Sequence, residues 1–81
     1  MEFVAGTRRF QDGRLAEVFF LKAGHPGSAV ETFSRDAAVV LSIALQHGAS
    51  VKEIRHSLVK LRDGSGAGAV GALLDLVGAD G

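Results

Sequence analysis

The sequence predicts a small α+β domain in the order strand, strand, helix, helix, helix, completed by dimerisation. Three observations carry that expectation. Asp12-Gly13 separates two runs with alternating apolar residues. Two Ser-x-x-Glu tetrads, Ser28–Glu31 and Ser50–Glu53, each precede a segment with apolar residues at helical spacing. A short apolar stretch, 68–77, follows a glycine-rich segment. The chain has 81 residues, which makes one domain, 1–81, and leaves no material for a second core.

The hairpin is expected over 3–22. Asp-Gly between apolar runs signals a two-residue loop whose positions both take positive φ. Gln11 then lies opposite Arg14. The register pairs Phe10 with Leu15, Arg8 with Glu17, Gly6 with Phe19 and Val4 with Leu21. Between these fall Arg9 with Ala16, Thr7 with Val18 and Ala5 with Phe20. Arg8 and Glu17 become a cross-strand ion pair, which favours this register. One face carries Val4, Phe10, Leu15, Phe19 and Leu21, and the other carries Phe3, Ala5, Val18 and Phe20. A lone hairpin needs cover. Helices supply it on one face, so the other face, or a strand edge, is expected to meet a second subunit.

The first helix is expected over 29–47. Ser28 and Glu31 have capping-box spacing, in which each side chain accepts from a free backbone N–H. Gly48 suits the position after the last turn, and His47 suits the negative end of the helix dipole. Phe33, Ala37, Val40, Leu41 and Ala44 form one stripe, with Val39 and Ile43 off it. Only Ser42 is polar between Ala37 and Leu45, so the helix is expected to be buried nearly all round. Apolar residues make up 47% of a chain this short, more than a lone small domain readily covers. A homodimer follows as an expectation, with Phe3, Ala5, Val18, Phe20, Val39 and Ile43 at its interface.

The second helix is expected over 51–61. Ser50 and Glu53 repeat the cap, and Val51, Ile54, Leu58 and Leu61 form a narrow core stripe. Lys52, Arg55, His56 and Lys60 then face water. Residues 62–68, Arg-Asp-Gly-Ser-Gly-Ala-Gly, read as a flexible link. The third helix, over 68–77, presents Val70, Leu73, Leu74 and Val77.

Several function classes recede on composition. Nine basic residues balance nine acidic ones, so no overall field draws the chain to nucleic acid or a membrane surface. Cysteine is absent, which removes disulfides, thiolate metal sites and cysteine chemistry. Met1-Glu2-Phe3 has no basic segment ahead of an apolar one, so no secretory signal is expected. No apolar run approaches the roughly 20 residues of a membrane span. A cytoplasmic location is the expectation.

Individual motifs are equally sparing. Gly66–Gly71 reads Gly-Ala-Gly-Ala-Val-Gly, a literal G-x-G-x-x-G. The dinucleotide fingerprint needs a strand before it and an acidic residue about 20 positions later. A helix and a link precede it here, so the glycines are read as close packing. His25, His47 and His56 lack metal-ligand spacing and read as solvated or capping residues. Glu31 and Asp36 have no base-and-nucleophile arrangement near them. Arg8, Arg9 and Arg14 near the hairpin tip read as a charged edge that resists strand addition. The loop before the first helix is the one ligand-site candidate. Gly24, His25, Gly27 and Ser28, with Lys22 nearby, precede a helix start, where free N–H groups attract anions. The cap fills two of those donors and the Glu31 carboxylate repels phosphate, which favours an entry device over a site. No catalytic residue, metal site or cofactor is expected.

Gly13-Arg14, Glu17-Val18-Phe19, Gly24, Gly27-Ser28, Ser42, Gly48, Ile54 and Leu58 together resemble the TSCPD domain. That domain is found at the C-terminal end of adenosylcobalamin-dependent ribonucleotide reductases and as short stand-alone proteins. The likeness runs from about residue 3 to 78. This chain departs from the family pattern in having no cysteine, whereas the reductases use a cysteine radical and a reducing cysteine pair. The resemblance therefore implies an accessory or orphan module without catalysis of its own, which self-associates and binds a protein partner such as a ribonucleotide reductase. The alternative is a small-ligand or nucleotide-phosphate binder using the Gly24–Ser28 loop.

Overall fold

The computed structural model describes residues 2–77; Met1 and 78–81 of the expected domain lie outside the described residues. The elements are β1 (Phe3–Arg9), β2 (Leu15–Ala23), α1 (Ala29–Gln46), α2 (Val51–Ser57) and α3 (Ala69–Val77). This is the expected ββααα order.

β1 and β2 pair antiparallel, with Ala5–Phe20, Gly6–Phe19, Thr7–Val18 and Arg8–Glu17 in the expected register. Both ends depart from it. Arg9 faces Leu15 instead of Ala16, Val4 faces Lys22 instead of Leu21, and Phe3 faces Ala23. The turn accounts for the first slip. Gly13 N–H donates to the Phe10 carbonyl at 2.9 Å, and Phe10 N–H donates to the Arg14 carbonyl at 2.8 Å. Gly13 stands at φ +91°, and no non-glycine residue among those described has positive φ. This is a three-residue loop with a glycine bulge rather than the two-residue loop expected. Asp12 stays in ordinary backbone space, and its Oδ1 accepts from Arg14 N–H at 3.0 Å.

The slips redistribute the faces. Leu15, Ala16, Val18, Phe20 and Ala23 are buried, with Phe3 and Ala5 packed against them. Leu15 was expected beside Phe19, but the irregularity at Arg8/Arg9 carries it into the core. Phe3 and Phe20 meet edge to face, ring centroids 5.6 Å apart. Val4, Phe19 and Leu21 remain outside.

α1 lies along β2. Ser28 caps its start, accepting from Glu31 N–H at 3.2 Å. Its end is a Schellman motif: Gly48, at φ +93°, donates to Leu45, and Ala49 donates to Ala44. The buried stripe is Ser34, Ala38, Leu41, Ser42 and Leu45. Of the stripe expected from sequence, only Leu41 is buried, while Phe33, Ala37 and Val40 are exposed. The rotation has a polar cause. Ser42 Oγ accepts from Val18 N–H and donates to the Val18 carbonyl, both at 2.9 Å. Arg35 donates to the Leu21 carbonyl at 2.9 Å. A two-stranded sheet leaves such groups unpaired, and burying them bare is costly. The helix therefore turns its serines inward and leaves an apolar flank in solvent.

α2 stops at Ser57, short of the expected residue 61, because Leu58 is extended (φ −76°, ψ 157°). Lys60 Nζ donates to the Leu58 and Arg55 carbonyls, covering the acceptors at this helix end. Val51 is buried and Ile54 and Leu58 pack on the core, but Leu61 is exposed. The expected flexible link is a second copy of the hairpin loop. Gly64 N–H donates to the Leu61 carbonyl (3.0 Å) and Leu61 N–H to the Ser65 carbonyl (2.8 Å). Asp63 Oδ1 accepts from Ser65 N–H at 2.9 Å, and Gly64 takes φ +88°. Phe10–Arg14 and Leu61–Ser65 thus share one hydrogen-bond pattern built on Asp-Gly.

α3 starts one residue later than expected, with Ala69, Gly71, Leu73 and Leu74 buried. A Cβ on Gly66 would strike the Gly71 carbonyl carbon and come within 2.7 Å of Ala72 N. A Cβ on Gly68 meets nothing within 4 Å. The first and last glycines of Gly66–Gly71 serve backbone contact, and the Leu61–Ser65 turn precedes them where the dinucleotide fingerprint needs a strand.

Candidate functional site

The loop between β2 and α1 is built by two left-handed glycines, Gly24 (φ +70°) and Gly27 (φ +76°). Gly24 N–H donates to the Glu2 carbonyl at 3.1 Å, and Ser28 N–H donates to the His25 carbonyl at 3.1 Å. Glu31 Oε1 accepts from Gly27 N–H at 3.1 Å, one residue earlier than the reciprocal cap expected. Lys22, Gly24 and His25 come together with Glu2 and Pro26 around a hollow of about 310 Å³. Gly27 and Ser28 belong to the cap and do not line it. A carboxylate therefore occupies the helix entry, and a second acidic residue, Glu2, lines the same hollow as Lys22.

The six residues expected at a dimer interface divide. Val18 and Phe20 are core residues, and Phe3 and Ala5 pack against that core. These four line the face that α1 covers, because the bulged register and the Ser42–Val18 bonds bring the helix there. Val39 and Ile43 are exposed. So are Phe33 (71%) and Val40 (67%), on the opposite flank of α1. Phe33 and Ala37 border a groove of about 250 Å³ whose other wall includes Leu58, Val59 and Val70. Sequence reading placed Phe33 and Val40 in the core. The signal that would have moved them outward is Ser34 and Ser42, spaced eight apart on one face.

The charged groups hold structure together. Asp75 Oδ1 accepts from Arg55 at 3.1 Å and its Oδ2 from Gly66 N–H at 2.7 Å. The Gly66 N–H, then Arg55, hold its carboxyl below the ordinary aspartate value. Asp12 is lowered by Arg14, backbone N–H first, and Asp63 by Ser65, hydroxyl first. Arg9 bridges the hairpin loop and α3, donating to the Gly13 carbonyl (2.8 Å) and the Val77 carbonyl (2.9 Å). Arg8 pairs with Glu17 at 3.7 Å and Arg14 with Asp12 at 2.7 Å. His25, His47 and His56 are all exposed. Among the described residues, no group of three or more His, Cys, Asp or Glu is placed to hold a metal, and no helix is long and apolar enough to cross a membrane.

The geometry defines a small α+β module whose prominent feature is apolar surface on one helix. The TSCPD domain matches residues 4–78, and the chain belongs to that family. The family makes it a ribonucleotide-reductase-related module. Neither the curated proteins nor the solved structures contain a significant match. The residues that carry the family resemblance have structural jobs. Gly13, Gly24, Gly27 and Gly48 take positive φ. Ser28 caps α1, Ser42 satisfies Val18, Glu17 pairs with Arg8, and Ile54 and Leu58 pack on the core.

Proposed function

We propose that this chain is a non-catalytic, ribonucleotide-reductase-related module that self-associates and binds a protein partner, a reductase being the partner its family suggests. One observation carries the reading. α1 presents Phe33 and Val40 largely to solvent, beside an apolar groove, on a domain of only 81 residues. Apolar surface gathered in this way marks a contact site. Two further facts support the absence of catalysis. The chain has no cysteine to carry a thiyl radical or reduce a substrate. Its signature residues are used by turns, caps and core. The alternative reading, a small ligand or nucleotide phosphate at Gly24–Ser28, has less support because Glu31 holds the Gly27 N–H.

Light scattering coupled to size exclusion, at micromolar concentration, tests self-association. The expected mass is about twice the 8.4 kDa of one chain, and a mass near 8.4 kDa refutes it. Purified chain given adenosylcobalamin, a ribonucleotide and a dithiol is expected to form no deoxyribonucleotide above blank. Turnover that survives further purification overturns the non-catalytic reading.

A further inference from the structure

Val30, Phe33, Ala37, Val40 and Ala44 follow one another on α1 at intervals of three, four, three and four residues. That is the spacing of a coiled-coil seam. It is not the face the fold uses, which centres on Ala38, Leu41 and Leu45. Val30, Phe33, Ala37 and Val40 are exposed and Ala44 is half-buried. No charged side chain interrupts the seam. Of the three charged residues on α1, Glu31 is engaged with Gly27 and Arg35 with Leu21, and Asp36 lies at the margin.

The geometry points to an isologous contact in which α1 of a second copy lies antiparallel along this seam; it rests on the reading of the chain as self-associating. Alternation of large and small residues selects the direction and the register. An antiparallel pair that sets Ala37 against Val40 of the second copy also sets Phe33 against Ala44. By symmetry all four layers place a large side chain on a small one, which fills space evenly. The two-fold axis then passes at the level of Ala38 and Val39. A parallel pair in register would stack Phe33 on Phe33 and Ala37 on Ala37, crowding one layer and leaving a void in the next. The groove that holds Phe33 and Ala37 continues the seam toward Val59, which is 76% exposed and extends the apolar surface available to the second copy.

The absence of native cysteine makes disulfide mapping clean. Ala37→Cys is mixed with Val40→Cys, and Phe33→Cys with Ala44→Cys, each variant first shown dimeric by light scattering, then mildly oxidised. The expected product in each mixture is the mixed disulfide, several-fold over either homodimeric cross-link. A dimeric protein that forms no cross-link, or favours Ala37→Cys with itself, overturns the seam while leaving self-association standing; a monomeric parent removes both. Val40→Glu, at an exposed position, is expected to halve the mass with helical circular dichroism unchanged. Leu21→Glu, on the outer hairpin face, is expected to leave the mass intact. If Leu21→Glu separates the subunits and Val40→Glu does not, the contact lies on the hairpin and the inference fails.

Discussion

The hydroxyl of Ser42 meets both backbone polar groups of Val18, accepting from its N–H and donating to its carbonyl at 2.9 Å each. One side chain therefore closes the outer side of β2 at mid-strand and sets which way α1 is turned. Ser42→Ala removes both bonds at a buried position and is expected to cost about 1–3 kcal/mol. Urea unfolding followed by circular dichroism measures it as a lower midpoint with an unchanged slope. Ser57→Ala, which loses an exposed bond to the Glu53 carbonyl, is the control and is expected to stay within about 0.5 kcal/mol. Equal effects from the two substitutions refute the role given to Ser42.

The glycines of Gly66–Gly71 separate by contact. Gly66→Ala puts a Cβ against the backbone of Gly71 and Ala72, which cannot yield as a side chain can. It is expected to cost about 1–3 kcal/mol, the range of overpacked cores. Gly68→Ala enters open space at ordinary φ and is expected to be neutral or slightly stabilising. Thermal melting of the two variants decides it, and a neutral Gly66→Ala contradicts the contact.

Acid should weaken the fold. Asp12, Asp63 and Asp75 have carboxyls held below the ordinary aspartate value when folded. Their stabilisation is fully present above the unfolded value of about 4 and is lost as pH falls through the folded values. The melting point is expected to change little between neutral pH and about 5, then to drop below about 4. Asp75→Asn keeps an acceptor for Gly66 N–H but loses the titrating charge beside Arg55, so its melting point should start lower and fall less steeply in acid. An acid limb parallel to the parent's removes Asp75 from this account.

The helix entry offers a paired test. Ser28→Ala removes the acceptor for Glu31 N–H and is expected to cost about 0.5–2 kcal/mol. Millimolar phosphate or nucleotide is expected to leave the parent's melting point unmoved, because Glu31 already occupies the Gly27 N–H. Stabilisation of the parent by nucleotide, abolished in Ser28→Ala, transfers the function to this loop.

The order ββααα was legible from sequence because its signals are local. Asp12-Gly13, the caps Ser28 and Ser50, and the stop at Gly48 each act within a few residues, and each appears in the structure. The central register was legible too, since Arg8 and Glu17 must face each other for their charges to pair. The second Asp-Gly loop escaped because glycines surround it and no alternating apolar strands flank it. What sequence could not decide was the rotation of α1. That helix has apolar residues on two flanks, and hydrophobic spacing alone does not choose between them. The choice depends on Val18 and Leu21, distant in sequence, whose backbone groups need Ser42 and Arg35. Once those bonds form, Val18 and Phe20 go inside with Leu41, and Phe33 and Val40 are left on the surface. The same bonds took the hairpin residues out of the expected contact surface and added Phe33 and Val40 to its helical part, because burial of a polar strand edge outweighs the preference of an apolar stripe.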